Sequence, residues 1–203
     1  RKLRSALKDI GEAVRYTFSE PLMLGLLLLM ALPAMFVMPF VAGLMPVLAA
    51  EVFKVGPTGL GALFSAMGAG ALLGNLTVAA VGTSVGMGRM LAITSVSTVV
   101  FMALLGFNQI FGFGIVIILV LSASFTGLLT LINAAIQVAV KDEMRGRIGG
   151  LMMVVWGISP LGFLLSGLLA EYLGVSRAIL IATAALAVFR LAIYFRFKVI
   201  RHF

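Results

Sequence analysis

Long apolar runs separated by short polar breaks dominate the pattern of this chain. Six runs reach the roughly 20 mainly apolar residues that a membrane-spanning helix needs. The breaks between them are short and polar or rich in glycine. The pattern therefore predicts an all-α membrane protein with a six-helix bundle over residues 21–197. We predict the spans at 22–50, 58–82, 90–107, 110–140, 148–170 and 176–197.

The first 20 residues follow a different pattern. Apolar side chains recur at spacings of three and four, which places them on one stripe of a helix, while the other faces carry both signs of charge. We interpret residues 1–20 as an amphipathic helix at the cytoplasmic membrane surface that links two bundles; a lipid-activated regulatory helix is the alternative. Residues 198–203 form a basic cytoplasmic tail. The stripe consists of Leu3, Leu7, Ile10, Val14 and Phe18.

Composition agrees with a membrane protein. Of the 203 residues 62% are hydrophobic and 11% are charged, whereas soluble domains are about one quarter charged. The absence of cysteine excludes disulfides and thiolate metal sites. Because the sequence has no His-Glu metal pair, no nucleophile with a base and no phosphate-binding loop, it predicts no enzyme activity, no catalytic residue, no metal and no cofactor.

The basic residues sort by side of the membrane. With a cytoplasmic N-terminus, twelve lysines and arginines fall on the cytoplasmic side and only Lys54 and Arg177 on the other. This positive-inside bias predicts that both termini are cytoplasmic. The net charge of +8 therefore reflects membrane orientation, and we expect no nucleic-acid partner. Arg190 lies within the last span, and we expect its side chain to extend to the cytoplasmic interface.

The six spans divide into two similar sets of three. The first and fourth are the longest, and the first contains Pro33, Pro39 and Pro46. The second and fifth carry six and five glycines, whereas the third has one and the sixth has none. Because small residues let membrane helices approach closely, we expect spans two and five to pack tightly and spans three and six to face lipid. The pattern predicts a 3+3 inverted repeat, as in many secondary transporters.

Five polar side chains of the fourth span fall within an arc of about 80° on one helix face. Such a stripe must face protein or water, because lipid offers it no partner. We interpret the stripe as the lining of a substrate cavity; hydrogen bonding within a static bundle is the alternative. Its members are Ser122, Thr126, Thr130, Asn133 and Gln137.

Three further residues are candidates for the cavity. Met35 and Met38 belong to a methionine-rich first span, whose flexible thioethers suit varied apolar partners. Trp156 lies in mid-span, where either packing or stacking on an aromatic substrate explains it. Membrane carboxylates usually carry proton coupling, but all acidic residues here lie at span ends, in loops or in the surface helix. If the protein uses proton coupling, the acid would belong to another part of the protein, or Glu51 or Glu171 would take part.

Three stretches resemble the C-terminal half of a major facilitator superfamily transporter, most closely the bacterial efflux branch with macrolide and siderophore exporters. They are VGPTGLGALFSAMGAGALLGN (55–75), KDEMRGRIGG (141–150) and GISPLGFLLSGLLAEYLG (157–174). The resemblance assigns Gly70 and Gly74 to the small-residue second helix, and Gly157, Pro160 and Gly162 to the Gly-Pro-rich fifth helix.

The resemblance implies half of a twelve-span, two-bundle transporter that works by alternating access in the bacterial inner membrane. Helices one and four of each half line the cavity, and helices two and five form the interface between halves. It also implies a multidrug antiporter that exchanges protons for small lipophilic substrates. The expected partners are an N-terminal six-helix half that this sequence lacks, and membrane lipid. A non-transporting membrane scaffold and a lipid-binding or lipid-flipping protein are the alternative functions.

The charged loop at 141–147 has two interpretations. Its basic residues anchor the cytoplasmic face, but its acidic pair also suits a gate that forms ion pairs between the two halves. The resemblance implies an acid and a run of basic residues in the loop after helix two. This sequence departs from that pattern, because the loop keeps only Arg89. The gate or topology candidates are Arg89, Asp142, Glu143, Arg145 and Arg147.

Overall fold

The computed structural model describes residues 11 and 15–196, apart from the side chains of Thr83 and Ser84. Over this part of the chain six helical segments are long and apolar enough to cross a membrane, which confirms the predicted fold class and makes the chain an integral membrane protein. We call them spans 1 to 6. They cover Pro21–Val52, Pro57–Gly82, Met87–Phe107, Phe111–Ala139, Asp142–Leu173 and Val175–Arg196.

Span 1 is a regular helix only in its first half. The α-helix Pro21–Phe36 accommodates Pro33 in its interior, and regular structure ends at the turn of Val37. A π-helical turn, Pro39–Gly43, and a second one, Leu48–Val52, then flank a short helix at Met45–Val47. Wide turns of this kind often occur at functional sites.

Span 5 is the other interrupted span. After a 3₁₀ turn at Asp142–Met144, one helix covers Arg145–Trp156 and a second covers Ser159–Leu173. The break follows from Pro160, which has no backbone N–H to continue the helix. The remaining spans are each one α-helix, namely Pro57–Val85, Met87–Phe107, Phe111–Ala139 and Val175–Arg196.

In both repeats a single glycine connects the helix of the second span to the helix of the third. Gly86 separates span 2 from span 3, and Gly174 separates span 5 from span 6. Both have φ of +83°, a left-handed region that glycine enters without steric cost. The same one-residue joint at equivalent places supports the predicted 3+3 repeat.

The closest helix contacts are made between the two repeats. Gly70 and Gly74 of span 2 pack on backbone carbonyl groups of span 4, whereas Gly162 of span 5 packs on the Met35 carbonyl group of span 1. Each repeat thus inserts its glycine-bearing middle helix against the first helix of the other. The prediction of close packing through spans 2 and 5 is right at these positions, although Gly149 and Gly167 face open space.

The expectation that spans 3 and 6 face lipid is only partly right. These spans pack on each other, with Gly106 of span 3 against Leu180 of span 6. Met102 and Leu186 are fully buried in the main apolar core. Each helix therefore has one buried face, while side chains such as Val188 remain exposed on the other.

The surface helix lies mostly outside the described residues, as does the basic tail. Residues 15–19 are helical. Phe18 is 70% exposed, while Tyr16 packs against the apolar cluster that the early part of span 1 forms with residues of spans 3 to 6.

Candidate functional site

The polar stripe of span 4 faces span 2. The Ser122 hydroxyl donates to the Met67 carbonyl oxygen at 2.7 Å. The Thr126 hydroxyl donates to the Ala71 carbonyl oxygen at 3.3 Å. The Thr130 hydroxyl is 2.7 Å from the Asn75 side-chain oxygen. All three pairs are 55 residues apart in the chain, so one constant register joins the two helices.

This register depends on the absence of side chains at two positions of span 2. A Cβ atom at Gly70 would overlap the carbonyl oxygen of Leu119, and one at Gly74 would overlap that of Ala123. Close backbone approach is what brings short hydroxyl side chains within hydrogen-bonding distance of the neighbouring helix. The glycines and the polar stripe therefore form one packing unit.

A cavity of about 180 Å³ opens beside this unit, between spans 1, 2 and 4. Span 1 contributes residues next to and within its first π-helical turn, so the irregular backbone shapes one wall. The lining residues are Val37, Met38, Val41, Ala42, Met67, Gly68, Ala71, Leu121, Ser122, Phe125 and Thr126.

The cavity is almost wholly apolar in character. Ser122 and Thr126 are its two polar side chains, and both hydroxyls already donate to backbone carbonyl groups. No ionisable side chain is among its lining residues. A ligand here would be held by apolar burial against flexible groups such as Met38, rather than by charge.

Three of the predicted cavity residues, Met38, Ser122 and Thr126, line this space. The structure places the other predicted residues of the stripe elsewhere. Asn133 donates to the Leu129 carbonyl oxygen of its own helix, and Gln137 is exposed near the end of span 4. Together with the Thr130–Asn75 pair, they continue the stripe beyond the cavity. Their contact with substrate stays a prediction.

Met35 and Trp156 also lie outside this cavity. The Met35 carbonyl group borders Gly162, 2.5 Å from the position that a Cβ atom would take there. Trp156 is partly buried against the apolar cluster near the start of span 1, which favours packing over stacking on a substrate. Gly157 lies in the turn after it, just before the second helix of span 5, which begins at Ser159 and has Pro160 in its first turn.

The sequence analysis did not predict two residues that belong to the cavity or to its polar stripe. Phe125 lines the cavity next to Thr126, and its position beside the polar stripe was the available signal. Asn75 bonds to Thr130 from a glycine-rich span, where a single amide among small residues was the signal.

The charged loop is exposed and forms a local ion pair. The Arg145 guanidinium lies 2.9 Å from an Asp142 carboxylate oxygen, and their side chains are 55% and 88% exposed. The Arg147 Nη1 group donates to the Met144 sulfur at 3.7 Å. Glu143 and Arg89 are exposed as well, at the same end of the antiparallel bundle. The gate interpretation stays a prediction.

The expectation that Arg190 extends to the interface is wrong. Its side chain is only 6% exposed, and Nη1 donates to the Ser95 carbonyl oxygen of span 3 at 2.6 Å. The packing of spans 3 and 6 encloses the side chain between the two helices. The expectation rested on the distance of Arg190 from the end of the helix, and this distance does not show which face of the helix the side chain occupies.

Comparison with known proteins gives one match at the family level. The family model described as transmembrane secretion effector matches residues 3–202. No curated protein and no solved structure matches the chain.

Proposed function

Because the chain belongs to the transmembrane secretion effector family, a transporter family of the major facilitator type, we propose that it is the C-terminal half of a secondary active exporter. In this proposal its substrates are lipophilic compounds, and transport proceeds by alternating access. The single observation that carries the proposal is the apolar cavity between span 2, span 4 and the interrupted part of span 1.

The chemistry of the cavity supports a lipophilic substrate. Its walls offer methionine, phenylalanine and aliphatic surface, while its two hydroxyls are engaged in helix packing. Ligand pockets for drug-sized molecules usually measure about 300–1,000 Å³. At about 180 Å³ this cavity is smaller than such a pocket, and we propose that it forms one side of a larger one. The facing wall is supplied, in our proposal, by an N-terminal six-helix half.

The exposure of spans 2 and 5 supports such a partner half. Only 17% of the most apolar stretch of each is buried, compared with 33% in span 3 and 39% in span 6. The helices with the most glycine are therefore the ones that this bundle covers least. Large apolar side chains such as Leu72 and Leu164 are exposed on them. We assign these two faces to the interface between halves.

The position of the acidic groups supports an assignment of proton coupling to the N-terminal half. Glu51 and Glu171 are exposed near the ends of spans 1 and 5, and neither lines the cavity. A proton relay needs a titratable group within the membrane. We therefore place the coupling acid in the partner half, and both termini of this chain in the bacterial cytoplasm on the basis of the basic-residue count.

An efflux assay of the full-length protein in a drug-sensitive bacterial host tests the proposal. We expect expression to lower accumulation of lipophilic dyes or drugs, and a proton uncoupler to abolish the effect. Ala71→Phe fills the cavity and should bring efflux close to background. Ala184→Phe, at an exposed position on span 6, is the matched control and should retain efflux. Equal efflux by the two variants would contradict the cavity assignment.

A further inference from the structure

Arg190 has hydrogen-bonding capacity that the described protein does not use. Its Nη1 group donates to the Ser95 carbonyl oxygen, but Nε and Nη2 are buried without a hydrogen-bond partner. Within residues 15–196 it forms no ion pair with a carboxylate. A buried cation with idle donors carries a large desolvation cost, and in a membrane helix such a residue marks a functional site.

Arg190 is one of the residues that line a groove of about 370 Å³ between spans 3 and 6. Leu29 of span 1 forms part of its inner wall, while Val96, Val100 and Leu191 are exposed at its rim. The groove shares no lining residue with the substrate cavity. It is therefore a separate site, and its exposed apolar rim on spans 3 and 6 is accessible to the acyl chains of a surrounding bilayer.

The chemistry of the groove selects an amphiphile with an acidic group. A guanidinium presents paired N–H donors that match the oxygens of a phosphate. The exposed valine and leucine side chains at the rim match an acyl chain. Basic pockets between membrane helices on the cytoplasmic side are a known form of lipid headgroup site. A free soluble anion would leave the apolar rim unused.

The depth of Arg190 limits the kind of lipid. Arg190 is six residues before Arg196 at the end of span 6, which is about 9 Å along a helix. Tyr194 lies between them at the groove, 42% exposed, where an amphipathic ring suits the headgroup level. A phosphate that reaches Arg190 must descend below this level, which favours a small headgroup.

We propose that the groove between spans 3 and 6 binds one anionic phospholipid with a small headgroup from the cytoplasmic leaflet. Arg190 holds its phosphate, and an acyl chain lies along Val96 and Val100. The bound lipid neutralises the buried cation and joins the third helix of one repeat to the third helix of the other.

Native mass spectrometry of the purified full-length protein, titrated with phosphatidylglycerol or phosphatidylcholine, tests this site. We expect wild type to hold one phosphatidylglycerol at least about tenfold more tightly than phosphatidylcholine. Both lipids carry a phosphate, but the choline group of phosphatidylcholine is bulkier and its positive charge opposes Arg190. Arg190→Gln should lose this one tightly bound lipid. Arg177→Gln, an exposed position at the other end of the same helix, should keep it.

Val96→Trp is a second variant that fills the groove and leaves Arg190 in place. It should weaken phosphatidylglycerol binding to a similar degree, and it decides the question if Arg190→Gln does not fold. Equal affinity for both lipids would overturn the proposal, as would an unchanged lipid preference in the variants. Displacement of the lipid by equimolar inorganic phosphate would also overturn it, because the site would then take a soluble anion.

Discussion

Gly74 of span 2 lies directly against the backbone carbonyl group of Ala123 in span 4, and a Cβ atom at Gly74 would overlap the carbonyl oxygen. The opposing group is backbone, so it cannot rotate away as a side chain would. Ala71 lies one turn before Gly74 in span 2, and its carbonyl oxygen accepts from the Thr126 hydroxyl of span 4. The close approach of these two helices therefore requires that Gly74, like Gly70, has no side chain.

Replacing Gly74 by alanine should destabilise the protein. The two helices must move apart to admit the methyl group, which stretches the hydrogen bonds on either side. Overpacking of this kind costs about 1–3 kcal/mol. Thermal unfolding of the purified full-length protein in detergent should show a lower midpoint for Gly74→Ala.

Gly61→Ala is the matched control on the same span, because nothing lies within 4 Å of the Cβ position at Gly61. Alanine in a helix with free space is neutral or stabilises by up to about 1 kcal/mol. Equal midpoints for the two variants would show that the contact at Gly74 does not determine the helix separation.

The hydrogen bond between Thr130 and Asn75 should appear as a coupling energy. The Thr130 hydroxyl lies 2.7 Å from the Asn75 side-chain oxygen. The pair has the same 55-residue register as the bonds of Ser122 and Thr126 to span 2, which indicates a specific contact. Interhelical hydrogen bonds in membrane proteins average about 0.6 kcal/mol and reach about 1.7 kcal/mol. We expect a coupling in this range from the double-mutant cycle of Thr130→Val and Asn75→Ala, measured by reversible unfolding.

Thr77→Val supplies the control cycle with Thr130→Val. The Thr77 hydroxyl donates to the Leu73 carbonyl oxygen of its own helix at 2.8 Å, so its removal should not depend on Thr130. Additive effects in the control cycle and coupling in the first would assign the energy to the pair. Additivity in both cycles would mean that the bond contributes nothing.

Hydropathy and glycine counts were sufficient to predict the six spans and the repeat. Both signals act along the chain: about 20 apolar residues cross the bilayer, and glycine at Gly70 or Gly162 permits close backbone approach. The breaks of span 1 were less predictable, because Pro33 remains inside a regular helix while the wide turns begin at Pro39. A proline signals a possible interruption, and tertiary packing decides where the chain uses it.

The site was predictable as a helix face but not in its contacts. The angular arrangement of Ser122, Thr126 and Thr130 showed that they point the same way, and the structure shows that they point at span 2. Which helix a polar face meets depends on packing between distant segments. The same limit explains Arg190, whose partner Ser95 is 95 residues away in the chain.

Single cysteines can separate water access from simple exposure. We expect Met38→Cys and Thr126→Cys to react with a water-soluble thiol reagent in the full-length protein freed of other cysteines, because both line the apolar cavity between spans 1, 2 and 4. Bound substrate should slow both reactions. Val188 is 65% exposed but faces the outer side of span 6, so Val188→Cys should stay unreactive in the bilayer.

Reactivity of both cavity cysteines no greater than that of Val188→Cys would show that water does not enter the space between spans 1, 2 and 4. Strong reactivity at Val188→Cys would instead place that face of span 6 toward an aqueous path.

The charged loop at the start of span 5 should tolerate reversal of one charge. Arg145 is paired with Asp142 three residues earlier, so its charge already has a partner within the loop itself. An exposed pair of this kind contributes about 0–1 kcal/mol. We expect Arg145→Glu to transport at close to the wild-type rate, with the loop on the same side of the membrane as in wild type by reagent labelling, because Lys141 and Arg147 keep their positive charges. The cavity-filling variant Ala71→Phe shows in the same assay that a loss is detectable. Loss of transport in Arg145→Glu, with normal folding and topology, would mean that Arg145 has a partner in the other half and that the loop is a gate.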